Sequence, residues 1–200
     1  MPIVKTISYQ FVNLYEKKIW ATRSVLLILL LVSHLILQAQ TSPSAEYQLK
    51  AVFLFNFTQF VDWPEDSFAS EQAPLVIGIL GANPFGPFLE ETVSGEKVKG
   101  HPVIIHQYNN AGEIKNCHIL FINIEEEKKR AAIILFLKGR NILTVSEAPD
   151  FSKEGGMIRF FTTENKIKLQ INPDASREAG LVISSKLLRL AAIFNPKESN

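Results

Sequence analysis

Two hundred residues exceed what one ordinary domain needs and fall short of two, so the expectation is one domain of about 150 residues plus a tail. Residues 1–39 contain four of the 21 Lys and Arg and one of the 20 Asp and Glu, leaving 17 basic against 19 acidic side chains, a charge of −2. A mildly acidic domain without a clustered basic face excludes nucleic acid as a partner, because it has too few cations to displace counterions from phosphates.

The tail comes first in the chain. Lys17, Lys18 and Arg23 precede the apolar run Val25 to Val32, which continues past Ser33 and His34 to Leu37 and ends at Gln38-Ala39-Gln40. Positive, apolar and small in that order is the pattern of a secretory signal, with cleavage expected after Ala39 or Gln40. The apolar stretch from Ser24 to Leu37 is shorter than the roughly 17 residues that a spanning helix needs. The expected organisation is a signal peptide over 1–40, a folded domain over 41–195 and a polar tail over 196–200.

Ser42-Pro43 offers an N-cap and a first-turn proline, and a helix is expected from Ala45 to Asp62, stopped by Trp63-Pro64. Leu49, Val52, Phe53 and Phe60 form its apolar stripe at helical spacing, with Phe55, Phe57 and Trp63 extending that surface around the cylinder. Leu75 to Leu80 reads as a strand, and Gly81-Ala82-Asn83-Pro84 as a turn opening a helix from Phe85 to Glu91. Val103–His106 and Cys117–Asn123 repeat the strand signal. Glu125 to Lys138 is a helix whose early glutamates and following Lys128, Lys129 and Arg130 suit its dipole, with Glu126 and Arg130 spaced for pairing on a solvated face. Ile142–Val145 is a further strand, and strand–helix–strand with short links implies parallel pairing.

Beyond Gly155-Gly156, the runs Met157–Phe161 and Ile167–Ile171 flank a polar turn and read as a β-hairpin. Ile167, Leu169 and Ile171 alternate with Lys168 and Gln170, so one face is covered and the other looks outward. Short helices are expected at Asp174–Ala179 and Ser184–Phe194. The fold class is therefore a single α/β domain, a mixed and mostly parallel sheet with helices on both faces and a C-terminal hairpin.

No reactive constellation accompanies this fold. The loop Gly81 to Gly86 lacks the spacing of a dinucleotide or phosphate cradle, and G-x-S-x-G is absent. His101, His106 and His118 have neither the i,i+4 spacing nor the second cysteine of a metal site. Cys117 beside His118 cannot share a proton, since adjacent strand residues face opposite ways, and the thiol reads as buried. Glu147 and Asp150 flank Ala148-Pro149, which marks a surface turn. No catalytic, cofactor or metal residue is expected.

Seven strings in order resemble the YfiR-like family of bacterial periplasmic regulators. They are Glu46–Ala51, Phe60–Pro64, Leu80–Gly86, Cys117–Ile122, Leu143–Pro149, Gly155–Ile158 and Ala179–Leu188, spanning about Ala45 to Ala192. The resemblance implies a periplasmic protein that restrains a membrane-bound diguanylate cyclase, is sequestered by an outer-membrane-associated lipoprotein, and dimerises. A sensor kinase with a periplasmic domain is an alternative partner, and a small-molecule sensor using the loop after Leu80 an alternative role, with a hydrolase a third. Family members often carry a second cysteine where Gly78 stands, able to pair with the residue matching Cys117, and another pair near Ser152 and Arg159. Those partners are missing here. The candidate contact residues are Lys168 and Gln170 on the outward hairpin face, and Phe57 and Trp63 among the first-helix aromatics.

Overall fold

The computed structural model describes residues 43–195; the expected signal at 1–40 and the tail at 196–200 lie outside the described residues. Helix α1 (Pro43–Phe60) leads into β1 (Val61–Asp62), β2 (Leu75–Gly81), α2 (Phe88–Val93), β3 (Lys97–Val98), β4 (His101–Tyr108) and β5 (Ile119–Asn123). Then come α3 (Glu127–Leu137), β6 (Leu143–Ser146), β7 (Ile158–Thr163), β8 (Lys166–Ile171), α4 (Pro173–Glu178), β9 (Val182–Ile183), α5 (Ser185–Leu188) and β10 (Ala192–Ile193).

Eight strands form one sheet in the order β3-β4-β2-β5-β6-β7-β8-β10. The five from β4 to β7 run parallel, β3 and β8 pair antiparallel to their neighbours, and β10 runs parallel to β8. This is the mixed, mostly parallel sheet and C-terminal hairpin that the apolar runs imply. The separate pair β1–β9 ties the end of α1 to the chain after α4, with Val61 opposite Ile183.

Register assigns the two faces. Ile79, Phe121, Val145 and Ile158 stand side by side across β2, β5, β6 and β7, and because side chains alternate along a strand they share one face. There they meet Ala51, Leu54 and Phe57 of α1 and Leu89 and Val93 of α2 in one core. On the opposite face Leu120 and Ile122 meet Ile133, Ile134 and Leu137 of α3 in a second core. Away from α3 that second face is less covered, and Ile104 on β4 is exposed.

Two elements differ from the expectation. The last helix covers Ser185–Leu188 only; the chain then turns to lay Ala192 and Ile193 beside β8, where the Phe194 amide donates to the Ile171 carbonyl. An edge strand with unpaired backbone groups outcompetes continued helix. The buried stripe of α1 is also not the expected one. Leu49 and Val52 are exposed, while Lys50, Ala51, Leu54, Phe57, Thr58 and Val61 are buried. Positions 50, 54, 57 and 58 are helically spaced, Val61 follows on β1, and a lysine at the first of them disguises the stripe.

Among the described residues, no helix is long and apolar enough to cross a membrane.

Candidate functional site

The hairpin puts Lys168 in the open and Gln170 half-buried, each beside a residue of β7. Lys168 stands opposite Phe161, and Gln170 opposite Arg159. The Arg159 guanidinium lies over the Phe161 ring, 5.4 Å from its centroid, a cation–π contact that keeps the aromatic ring and the charge together. Lys166 has the same strand parity as Lys168 and is exposed. The sheet face turned away from α1 therefore carries three cations and an aromatic ring on adjacent strands.

The aromatic candidates have different surroundings. Phe57 is fully buried, stacked on Phe160 at 5.9 Å and tilted against Phe53. It is therefore a packing residue with no surface to offer a partner, because the core stripe of α1 runs through it. Trp63 is half-buried, and its indole N–H donates to the His118 carbonyl at 3.2 Å. That bond clips the segment after β1 onto the start of β5.

A polar cluster unanticipated by the sequence reading sits where α1 crosses the carboxyl end of β6. Lys50 is almost fully buried and pairs with Glu46 at 2.5 Å and with Glu147. The Tyr47 hydroxyl donates to the other Glu147 oxygen at 3.0 Å, and Thr162 donates to Glu46 at 3.1 Å. The hydrogen bond from Lys50 holds the Glu46 carboxyl below its ordinary range, while burial, and then the charge of Glu147, push the Tyr47 phenol up to about 12. Glu147 is thus not a residue of a solvated turn. It anchors the first helix to the sheet, and the cluster closes on itself, every charge having a partner. The signal that could have found it is the position of Lys50, one turn before Leu54 on the buried stripe.

Arg130 corrects a second expectation. It is buried and forms a bidentate pair with Glu154, at 2.8 and 2.5 Å, while its remaining guanidinium nitrogen donates to the carbonyls of Ile124 and Glu125. Its expected partner at i−4, Glu126, is exposed. A fork-shaped donor suits the fixed carboxylate from the β6–β7 loop better than a solvated glutamate on its own helix.

The loop after β2 is a closed structural turn. Asn123 and Gln107 donate from their side-chain amides to the carbonyls of Ala82 and Gly81, and the Phe85 amide donates to the Asn83 side chain. Gly81 has φ +98°, and a Cβ there would lie 2.2 Å from the Asn123 carbonyl oxygen, so only glycine fits between β2 and β5.

Cys117 is buried, and burial pushes its thiol up to about 12, the state of an inert core cysteine. Its neighbour His118 is more unusual. The ring is 3% exposed, accepts the Val76 amide proton at Nδ1 (3.1 Å), and stacks on Phe68 at 4.3 Å; Phe68 in turn stacks on His101 at 4.0 Å. Burial lowers its pKa to about 4, helped by the charge His101 can carry. The unfolded chain, with an ordinary histidine near 6.5, therefore binds one more proton than the folded chain between pH 4 and 6.5, so stability rises with pH across that window. A shift of this size corresponds to up to about 3 kcal/mol. Urea unfolding at pH 4.5 and pH 7 should show most of this difference, and His118→Gln should abolish that part of the slope whatever its own stability.

A comparison with characterised proteins returned no match. The family comparison does match: the model described as YfiR/HmsC-like covers residues 47–192. The chain belongs to the YfiR/HmsC-like family. The matched span runs from Tyr47 in the Lys50 cluster to Ala192 in the edge strand, and so takes in nearly the whole described domain. The cysteine pairing associated with the YfiR/HmsC-like resemblance can be placed on this geometry. A Cβ at Gly78 would lie 2.8 Å from Cys117 Sγ and 2.6 Å from the Tyr108 ring. Position 78 on β2 and Cys117, just before β5, are thus neighbours, and in this chain the Tyr108 ring occupies the space that a side chain at position 78 would take.

Proposed function

We propose that the chain is an exported regulatory binding protein of the periplasm. It restrains a membrane-bound diguanylate cyclase from the periplasmic side, and an outer-membrane-associated lipoprotein relieves that restraint by sequestering it. Cyclic di-GMP is made on the other side of the membrane and never meets this domain. The observation that carries the reading is the family match across residues 47–192. Export rests on the positive–apolar–small order of residues 1–40.

The domain works as a dimer and contacts its partner through the hairpin face. Support comes from the charge on that face: Arg159, Lys166 and Lys168 beside Phe161 suit an acidic segment with an apolar anchor, since interfaces favour aromatic and arginine side chains. The Lys50 cluster and the Arg130–Glu154 pair are internally satisfied, which suits structural ties rather than turnover.

Changing Lys168 and Gln170 together to glutamate tests the contact. Both positions accept polar substitution at a stability cost within about 0.5 kcal/mol, so the melting temperature should hold. Capture of the cyclase's periplasmic domain should weaken at least tenfold, roughly 1.4 kcal/mol or more. Undiminished capture would remove the hairpin face from the interface.

A further inference from the structure

On one side the sheet ends with β4, of which the two-residue β3 covers only the beginning. Along a strand, successive residues turn their backbone groups to opposite neighbours. His101 pairs with Val98 of β3, and the Val103 amide donates to the Glu96 carbonyl, so the odd-numbered residues of β4 face away from β2. At the far end the Asn109 amide donates to the Glu113 side chain. Between these ends, the backbone groups of Ile105 and Gln107 point outward and have no partner among the described residues.

Natural proteins blunt such an edge with charged side chains, prolines or a covering segment. From Ile104 to Tyr108 there is no Lys, Arg, Asp, Glu or Pro, and Pro102 lies back where β3 already covers the strand. Ile104, His106 and Gln107 are exposed on this stretch. An edge without formal charge lets two copies meet without opposing like charges.

The free groups fix both the occupant and its register. Two outward residues separated by one make a set that complements itself. Placed antiparallel, Ile105 of one copy exchanges both backbone hydrogen bonds with Gln107 of the other, and Gln107 does the same with Ile105. Centring the two-fold on Ile105 or Gln107 instead would set one of them against Val103 or Asn109, whose amides are taken. The chain bends at Asn109-Asn110, so the second copy turns off before it would run into β3. Between the two bonded pairs, His106 falls opposite His106 of the second copy, in the closer position with about 4.5 Å between Cα atoms. Ile104 falls opposite Tyr108 of the second copy, an aliphatic–aromatic cross-strand pair.

We propose that a second copy of this chain docks on this edge, β4 antiparallel to β4, joining the two sheets across a two-fold axis at His106. The proposal rests on the dimer of the proposed function and locates it. The hairpin strands lie towards the other end of the sheet, four and five strands from β4, and stay free for the protein that the chain restrains.

Because residue 106 faces its own copy, charge placed there tests the axis itself. Sedimentation equilibrium of the exported chain should give a dimer with a Kd of about 0.1 mM or tighter, as suits an interface at the small end of the size range. His106→Glu and His106→Lys, changes at an exposed side chain, should leave the melting temperature in place. Each should weaken self-association at least tenfold, since each sets like charges face to face. An equimolar mixture of the two variants should recover a dimer at least tenfold tighter than either variant forms alone. A dimer that neither substitution weakens, or a mixture no tighter than the separate variants, overturns this interface and leaves the dimer itself standing. A chain that stays monomeric at about 1 mM overturns both.

Discussion

Phe57→Ala should lower the unfolding free energy by about 4 kcal/mol, the range for removing a fully buried phenylalanine ring. The ring is wholly inaccessible and lies between Phe53 of its own helix and Phe160 of β7. Removing it opens a void where the helix meets the sheet, and neighbouring rings held at stacking distance cannot collapse into it without losing their own contacts. Phe57→Leu, which refills part of the void, should cost less than half as much. Urea denaturation followed by circular dichroism reads both. Loss of partner binding in Phe57→Ala would accompany a loss of folded protein, whereas the hairpin-face double variant separates the two.

Lys50→Met comes next in size, with an expected loss of about 3 kcal/mol at neutral pH. The methionine fills much of the same space, so packing changes little. What changes is charge: Glu46 and Glu147 are left sharing a partly buried site without a cation. Their side chains remain 30% exposed, which keeps the expected cost at the lower end for a broken buried pair. The sign of the pH dependence follows. Lys50 holds the Glu46 carboxyl below its ordinary range, so the stability this pairing contributes is present above pH 4.5 and is lost as the pH falls through the lowered value. The deficit of Lys50→Met should therefore shrink in acid. Adding Glu147→Gln should restore part of the loss at pH 7, because one of the two unpaired charges is gone, and a double-mutant cycle measures that coupling.

The sheet was legible in the sequence because its central strands are buried on both sides and read as unbroken branched apolar runs. Leu75–Leu80 and Ile142–Val145 are found within one residue of β2 and β6. The hairpin was legible for the opposite reason, since one covered face makes Leu169 and Ile171 alternate with Lys168 and Gln170. What escaped was set by pairing across long stretches of chain. β1 and β9 have two residues each and exist only because 61–62 meets 182–183; β10 exists because β8 leaves an edge, and a helical pattern over 184–194 yields to it. The polar sites were harder still. Lys50, Arg130 and Glu147 look solvated in one dimension, yet Lys50 and Arg130 are buried and Glu147 half-buried because partners 97, 24 and 97 positions away complete their charge. His118 gave no sign of its buried ring, since the Phe68 stack and the Val76 amide come from a different part of the chain.

Cellular cyclic di-GMP tests the regulatory account most directly. A strain lacking this chain should contain several times more of the nucleotide than its parent and attach more readily to surfaces, and the full chain supplied in trans should reverse both. A version lacking residues 1–40 should fold yet fail to complement, because it stays in the cytoplasm and cannot meet a periplasmic domain. Unchanged cyclic di-GMP in the deletion strain, or equal complementation by the version without residues 1–40, would contradict the account.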